Sequence, residues 1–257
     1  MKKYIKLINQ LANKSGRILR KAFRRTLIIS SKGRMPSNTV TNIDVSVELA
    51  LKKWIERKFP DHNIISEETK GKKTKSPYTW VIDPIDGTSA FVCGKHTFCT
   101  LIALLKNGKP ILGVIDQPIL RERWIGGDGL KTTLNKRKVR TAKQTKILRI
   151  SATTPWMFNY HELSAYRLLA ESICTTKNWG GDAYSYAMLA SGHIDIVCES
   201  DLKIYDIAAL IPIITGAGGI VTDWSGKPID LKHFNHRVLA CSNSIVFARA
   251  KKILKGH

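Results

Sequence analysis

The stretch that decides the fold is Trp80-Val81-Ile82-Asp83-Pro84-Ile85-Asp86-Gly87-Thr88. Residues 78–82 are all aromatic or β-branched, which predicts a strand, and the proline fixes the backbone just after it. We therefore expect Asp83 and Asp86 to leave the sheet together, with their carboxylates converging on one point. An ordinary turn between two elements is the alternative interpretation of this motif.

Two acids at this spacing favour a metal site over a turn. Carboxylate and carbonyl oxygens are hard ligands that select Mg²⁺ or Mn²⁺ over softer ions. Asp83 can bridge two ions while Asp86 binds one, and two ions about 3.5–4 Å apart stabilise both the attacking and the leaving oxygen of a phosphoryl transfer. Gly87 lets a ligand approach the backbone, and the amides of Gly87 and Thr88 can donate to phosphate oxygens.

Other acids also stand beside apolar segments. Ile64-Ile65-Ser66 is followed by Glu67 and Glu68, Asp44 begins a helical pattern, and Asp206 lies at the start of a helix rich in small residues. Each acid alone is also compatible with a helix cap or a solvated surface. The chain has only 20 Asp+Glu against 42 Lys+Arg, so acids next to apolar runs require an explanation.

The order of these motifs resembles that of the inositol monophosphatase family of metal-dependent phosphatases. The resemblance rests on Val40–Asp44, Glu67-Glu68, Asp83–Thr88, Tyr205–Ala209 and Gly216–Gly219. Three further segments are similar to the histidinol-phosphatase branch, namely Ile115–Pro118 with Glu122–Gly126, Trp179–Tyr184, and Leu189–Asp195. The resemblance covers nearly the whole chain.

The resemblance implies an α/β fold, the layered α-β-α-β-α sandwich of the sugar phosphatases. We expect an N-terminal α/β half over residues 1–146, which carries most of the metal ligands. The C-terminal half over residues 147–257 would supply Asp206 and the residues that contact substrate. The site would lie between the halves, and the related proteins imply a homodimer.

The resemblance also implies the ligand sets. Glu67, Asp83 and the carbonyl of Ile85 would hold the first Mg²⁺, and Asp83, Asp86 and Asp206 the second. A third, weaker ion near Glu67 is left open, and Mn²⁺ is an alternative to Mg²⁺. The nucleophile implied is a metal-bound water.

Three residues would carry the catalytic roles under this resemblance. Glu67 and the hydroxyl of Thr88 would orient the attacking water, and Asp44 would accept the hydrogen bond from Thr88. The amides of Gly87 and Thr88 would hold the phosphate of a small ester for in-line attack.

Substrate choice depends on Asp182 and Glu199, which match family positions that contact the alcohol part of the substrate. Inositol monophosphatases carry a small residue at the position of Asp182, which suits a neutral polyol. Two carboxylates favour a cationic leaving group, so we predict L-histidinol phosphate, with inositol 1-phosphate as the alternative. Asp182 is also a candidate N-cap for a helix over residues 183–190.

Composition bounds the class of protein. A chain of 257 residues with 43% hydrophobic residues can bury a substantial core, and no apolar run is long enough to span a bilayer. The 5 Cys are odd in number and scattered, which indicates reduced thiols and predicts a cytoplasmic protein.

The net charge of +22 raises nucleic-acid binding as a second class of function. The basic residues are densest at residues 2–34, 70–75 and 131–146, and these stretches lack the regular interleaving of aromatics that base stacking requires. Nucleic acid is therefore the disfavoured partner. All five predicted site acids (Asp44, Glu67, Asp83, Asp86 and Asp206) are present, which favours catalysis, and the positive field would attract a phosphate ester.

Periodicity predicts the main elements. Helices are expected from the amino terminus to about Phe23, over residues 43–58 and over residues 244–255. Strands are expected near residues 26–31, from Asn63 and from Tyr78, and over residues 99–106 and 111–117.

Overall fold

A computed structural model describes residues 1–31, 39–143 and 146–255. Its helices are α1 (Lys2–Ala22), α2 (Asn42–Lys58), α3 (Thr88–Val92), α4 (Tyr160–Ile173), α5 (Asp182–Ala190), α6 (Ile204–Ile207), α7 (Leu210–Gly216) and α8 (Ser244–Leu254), with a 3₁₀ turn at Pro155–Met157. Its strands are β1 (Ile29–Ser31), β2 (Thr39–Thr41), β3 (Asn63–Ser66), β4 (Tyr78–Asp86), β5 (Cys99–Lys106), β6 (Lys109–Gln117), β7 (Glu122–Gly127), β8 (Thr133–Leu134), β9 (Arg137–Lys138), β10 (Arg149–Ala152), β11 (Thr176–Trp179), β12 (Ile196–Glu199), β13 (Ile220–Thr222) and β14 (Val238–Cys241).

The helices and strands predicted from periodicity are confirmed, with small changes at their ends. Helices α1, α2 and α8 and strands β3, β5 and β6 agree with the expected ranges to within two residues. The strand expected near residues 26–31 is shorter. It pairs with β2 over three positions only, from Ile29 to Ser31, so the residues before it have no partner strand in the described structure.

Five layers build the molecule, which confirms the predicted α-β-α-β-α architecture. A seven-stranded sheet has the order β3-β4-β5-β6-β7-β8-β9, and a five-stranded sheet has the order β11-β10-β12-β14-β13. Helices α1 and α2 cover one face of the first sheet, through a core that includes Leu11, Leu51 and Trp80. Helices α5 to α7 fill the space between the sheets, and α4 and α8 cover the outer face of the second.

Strand β4 contains a bulge between Asp83 and Asp86. Asp83 pairs with Leu101 and Asp86 pairs with Cys99, so β4 has one residue more than β5 between these two pairs. Pro84 has no amide hydrogen to donate to a neighbouring strand, which explains the local loss of register. The expectation that the strand ends at Ile82 is therefore wrong. Both acids belong to β4, and the bulge between them directs the two side chains.

A pair of glycines forms a groove on the seven-stranded sheet. Gly113 of β6 and Gly126 of β7 are direct partners across the two strands. A Cβ atom on Gly113 would lie 2.2 Å from the carbonyl oxygen of Ala209, and one on Gly126 would lie 2.5 Å from that of Pro212. We call this pair the glycine groove. It lets the connection between α6 and α7, and the first turn of α7, lie directly against the sheet, and so helps to set the distance of α6 from β4.

The proposed division into halves stays a prediction. The seven-stranded sheet ends with β9 at Lys138, and the five-stranded sheet begins with β10 at Arg149. A hydrophobic core that includes Leu101 and Val197 joins the facing sides of the two sheets.

Two expectations from composition agree with the structure. The five cysteines are all free thiols. Among the described residues, no helix combines the length and the apolar character that crossing a membrane requires.

Candidate active site

Three carboxylates converge beneath the mouth of a small cavity. Asp83 and Asp86 come from β4 and Asp206 comes from α6, and one oxygen of each lies within 4.8 Å of the others. The cavity has a volume of about 180 Å³. It is also lined by most of the other predicted site residues: Glu67, Ile85, Gly87, Thr88, Asp182 and Glu199. Asp44 is the predicted residue that does not line it.

The carboxylate cluster carries an unbalanced negative charge. Burial, together with the charges of Glu67, Asp86 and Asp206, raises the pKa of Asp83 well above its ordinary value. Burial also raises the pKa of Asp86 well above its ordinary value and that of Asp206 to about 7. The Oδ1 atom of Asp83 is buried and accepts no hydrogen bond within the described structure. A bare buried carboxylate oxygen among other acids fits a divalent cation, which would supply the missing partner.

Glu67 stands at the edge of this cluster. It follows β3, which pairs in parallel with β4, so both strands deliver acids at the same edge of the sheet. Its charge contributes to the raised pKa values of Asp83 and Asp206. The compact group of oxygens found in the described residues comprises the three aspartates, and Glu67 lies outside it.

Asp86 has a second role that the sequence analysis missed. Its Oδ2 atom accepts a hydrogen bond of 2.6 Å from the backbone amide of Ala183, in the first turn of α5. Carboxylates stabilise helix N-termini because the first amides of a helix have no partner within it.

Thr88 connects the cluster to Asp44. The Thr88 hydroxyl lies 3.1 Å from Asp44 Oδ1 and 2.9 Å from the carbonyl oxygen of Ile85. Asp44 Oδ2 accepts from the amide of Thr41 at 2.8 Å and completes a capping box at the start of α2. Because the capping box fixes the side chain, Asp44 presents its other oxygen to Thr88 in a set position. Burial raises the pKa of Asp44.

Gly87 makes the turn between β4 and α3. Its φ of 82° is in the left-handed region that favours glycine. A Cβ atom at this position would lie 3.0 Å from Asp182 Oδ2 and 3.1 Å from the carbonyl oxygen of Thr97. The Asp182 carboxylate therefore lies directly beside the turn that was predicted to hold the phosphate.

The helix-cap interpretation of Asp182 is wrong. Helix α5 begins at Asp182 itself, and Gly181, which has no side chain with which to cap the helix, occupies the N-cap position. Asp182 has a φ of 44°, which is uncommon for a residue with a side chain. Burial, followed by the charge of Glu199, raises the pKa of Asp182 to about 7.

Glu199 lies at the far side of the cavity and is fully buried. Its Oε1 atom accepts from the amide and the hydroxyl of Thr153, both at 2.7 Å, and its Oε2 atom accepts from the hydroxyl of Tyr186 at 2.9 Å. Thr153 and Tyr186 also line the cavity. Neither residue was predicted from the sequence, because a lone threonine after a short strand and a tyrosine within a helix carry no signal of such a role.

Comparison with known proteins shows to which family the chain belongs. The sequence model described as "Inositol monophosphatase family" matches residues 1–255. The chain belongs to the inositol monophosphatase family. Members of this family are metal-dependent phosphatases that typically use Mg²⁺ and act on small phosphate esters.

Individual relatives in the family differ in their names. The bifunctional phosphatase IMPL2, chloroplastic, of Arabidopsis thaliana is 46% identical over 224 residues, which are 85% of this chain and 64% of that protein. The chain thus spans less than two thirds of the plant protein. The histidinol-phosphatase of Mycobacterium tuberculosis is 29% identical over 198 residues, which are 73% of this chain and 75% of that protein.

A solved structure gives the same fold. The inositol monophosphatase from Zymomonas mobilis superposes with a TM-score of 0.87 at 34% identity, and the match covers 99% of this chain and 98% of that one. Membership of the family establishes the reaction class, and nucleic-acid binding is not favoured. Because the relatives' names include both an inositol monophosphatase and a histidinol-phosphatase, they do not set the alcohol part of the substrate.

Proposed function

We propose that this member of the family hydrolyses L-histidinol phosphate to L-histidinol and inorganic phosphate. The observation that carries the proposal is the Asp182 carboxylate, which lies beside Gly87 in the cavity of the aspartate cluster. A phosphate held at this turn would place its alcohol part against Asp182. Histidinol carries an amine and a titratable imidazole, and a buried carboxylate forms strong charge-assisted hydrogen bonds to such groups.

The donor set would hold two Mg²⁺ ions. Glu67, Asp83 and the Ile85 carbonyl would bind the first, and Asp83, Asp86 and Asp206 the second. When bound, the ions offset the charge of the acids and supply Lewis-acid stabilisation of the transferring phosphoryl group and the leaving oxygen. The chain's own residues position the reactants.

Thr88 and Asp44 would position the attacking water. A hydroxyl has a single proton, and Thr88 has two acceptors within reach, at 3.1 Å on Asp44 and 2.9 Å on Ile85. When the proton points to Asp44, an oxygen lone pair of Thr88 is available to accept from water, and Asp44 fixes this arrangement. The amides of Gly87 and Thr88 would hold the phosphate for in-line attack.

Replacement of Thr88 by valine tests this arrangement. Valine keeps the side-chain shape and removes the hydroxyl, so we expect kcat to fall about 100-fold, in the range typical of a positioned proton-transfer group. Thr88→Ser restores the hydroxyl and is the matched control, with most of the activity retained. The Mg²⁺-induced rise in melting temperature should be equal in all three proteins. If Thr88→Val keeps the kcat of the unaltered protein, the hydroxyl has no part in the reaction.

Inositol 1-phosphate is the second candidate, and the environment of Glu199 favours it. Both oxygens of Glu199 already accept hydrogen bonds from Thr153 and Tyr186. The Glu199 carboxylate is therefore already occupied by protein donors, and Asp182 is the principal acid that remains for the substrate beside the phosphate-binding turn. A single acceptor also suits a hydroxyl of a neutral polyol ring.

A substitution at Asp182 separates the two candidates. Asp182→Asn keeps the shape of the side chain and tolerates the left-handed backbone, but it removes the charge. We expect kcat/KM for histidinol phosphate to fall at least about tenfold, because a hydrogen bond to a charged group contributes about 1.5–3 kcal/mol. The value for inositol 1-phosphate should change less than about threefold, since a neutral hydroxyl bonds to either side chain.

The assay is phosphate release from both esters in parallel, with Mg²⁺ and with EDTA. Asp201→Asn is the matched control, because Asp201 is an exposed aspartate with a φ of 57° that does not line the cavity. Equal losses on both esters would contradict recognition of a cation by Asp182. If the unaltered protein prefers inositol 1-phosphate, histidinol phosphate is not its substrate, and the reaction class is unchanged.

A further inference from the structure

A second and larger cavity lies at the other edge of the seven-stranded sheet. It is enclosed by α1, the loop between β6 and β7, and the hairpin of β8 and β9, and its volume is about 1110 Å³. It shares no lining residue with the cavities around the aspartate cluster. Its cationic lining residues are Arg20, Arg121, Arg123, Lys131, Lys136 and Lys138.

Lysine and arginine are concentrated in the lining of this cavity. Lysine and arginine account for 42 of 257 residues in the chain but for six of the sixteen residues that line the cavity, more than twice the share. We call it the basic cavity. Cations that face one another across a cavity repel, and an anionic ligand removes that repulsion.

Acidic residues do not neutralise this charge. The one acid in the lining is Asp116, whose Oδ1 atom is bonded to Arg123 Nε at 2.6 Å. The other five cations of the basic cavity form no ion pair with a carboxylate in the described parts of the chain. Burial raises the pKa of Asp116, and the charges of Arg123 and Arg20 oppose that rise. An incoming anion would therefore meet Arg121, Lys131, Lys136 and Lys138 without having to displace a carboxylate.

Two of the cations occupy backbone positions that disfavour a side chain. Arg121 has a φ of 57° in the loop between β6 and β7. Asn135 and Lys136, with φ of 47° and 70°, form the two-residue turn between β8 and β9. Such turns favour glycine at the second position, yet a lysine that lines the basic cavity stands there.

The rest of the lining adds apolar surface and amides. Ile5, Ile125 and Leu130 contribute the apolar part, and Asn9 contributes an amide whose Oδ1 accepts from Arg123 Nη1 at 2.9 Å. No aromatic side chain lines the cavity, so it offers no stacking platform for the bases of a single-stranded nucleic acid. The ligand class is therefore a small anion that fits inside the cavity.

We propose that the basic cavity binds a small polyphosphate, an anion with at least two linked or closely spaced phosphate groups. These cations come from α1, β7, two loops and the hairpin of β8 and β9, so linked phosphates can contact more of them at once than a single phosphate can. The source is either an inorganic polyphosphate or the polyphosphate part of a nucleotide. The two share the same recognition chemistry and are separated by the experiment.

Calorimetric titration of the full chain tests the proposal. The titrants are sodium tripolyphosphate, ATP and orthophosphate at equal ionic strength, with EDTA present. Without metal, the aspartate cluster repels anions, so binding at the active site does not contribute. We expect tripolyphosphate to bind at one site, at least about tenfold more tightly than orthophosphate. If ATP binds more tightly than tripolyphosphate, the ring system of ATP contacts the apolar residues of the cavity. If the two affinities are equal, the cavity recognises the phosphates alone.

Two triple variants of equal charge complete the test. Lys131→Gln/Lys136→Gln/Lys138→Gln removes three exposed cations from the basic cavity, and Lys53→Gln/Lys73→Gln/Lys75→Gln removes three exposed cations elsewhere. The first should weaken tripolyphosphate binding at least about tenfold, and the second less than about twofold. Equal weakening by both variants would show attraction by the overall charge of the chain and would overturn the proposal, as would the absence of binding to the unaltered protein.

Discussion

Replacement of Asp83 by asparagine is expected to lower kcat/KM for any phosphate ester that the chain hydrolyses by at least about 1,000-fold. Asp83 is the predicted ligand common to both Mg²⁺ ions, so its loss weakens both at once. Metal ions contribute several kcal/mol to the stabilisation of a phosphoryl-transfer transition state. Each tenfold change in rate corresponds to about 1.4 kcal/mol of activation free energy. The measurement is steady-state phosphate release at saturating Mg²⁺.

Thermal unfolding shows whether such a loss arises from the metal site or from the fold. The pKa values of Asp83 and Asp86 are raised well above the ordinary range, and that of Asp206 is raised to about 7. The metal-free folded protein therefore binds more protons than the unfolded chain from about pH 4 to about pH 7 and above. Its free energy of unfolding falls as the pH rises through this range.

Asp83→Asn removes one of the repelling charges. Without metal near pH 8, the variant should melt at a higher temperature than the unaltered protein, and the difference should shrink as the pH is lowered. Mg²⁺ should raise the melting temperature of the unaltered protein and leave that of the variant nearly unchanged. Asp223→Asn, at an aspartate outside the cluster, is the control. Retention of activity and of the Mg²⁺ effect in Asp83→Asn would rule out the metal site.

Replacement of Gly113 by valine is expected to lower the free energy of unfolding by about 3 kcal/mol or more. A Cβ atom there would lie 2.2 Å from the carbonyl oxygen of Ala209, which belongs to the backbone and cannot rotate away. The connection between α6 and α7 would have to move off the sheet. Because Asp206 lies in α6, the variant should also lose much of the Mg²⁺-induced rise in melting temperature.

Urea unfolding measures this effect, and Lys109→Val is the control. Lys109 is an exposed residue of the same strand, so valine there changes strand propensity without meeting the glycine groove. Equal stability of Gly113→Val and the unaltered protein would show that the groove does not set the position of α6.

The layered fold and the set of site acids followed from the resemblance to the family, whereas the main helices and strands followed from local patterns. The aromatic and β-branched run before Asp83 forms a strand, and acids next to apolar runs lie at one edge of the sheet. The bulge at Pro84 was missed, since it depends on how β4 pairs with β5. The glycine groove was also missed, because a glycine in a strand does not indicate which backbone approaches it.

Contacts between residues distant in sequence account for the other differences. Asp182 follows two glycines, which favours a cap, yet the acid that serves the first turn of α5 is Asp86 from the other sheet. Glu199 was expected to face substrate, but Thr153 and Tyr186 occupy its oxygens. No local pattern contains this information, because each partner is positioned by the docking of whole layers.

The origin of the carboxylate cluster has a consequence for biosynthesis. Two of its acids come from the first sheet, and the third comes from α6, which lies later in the chain. A nascent chain that has emerged as far as β9 lacks Asp206 and the helices that bury its core. We therefore expect a chain that ends after β9 to release no phosphate from phosphate esters.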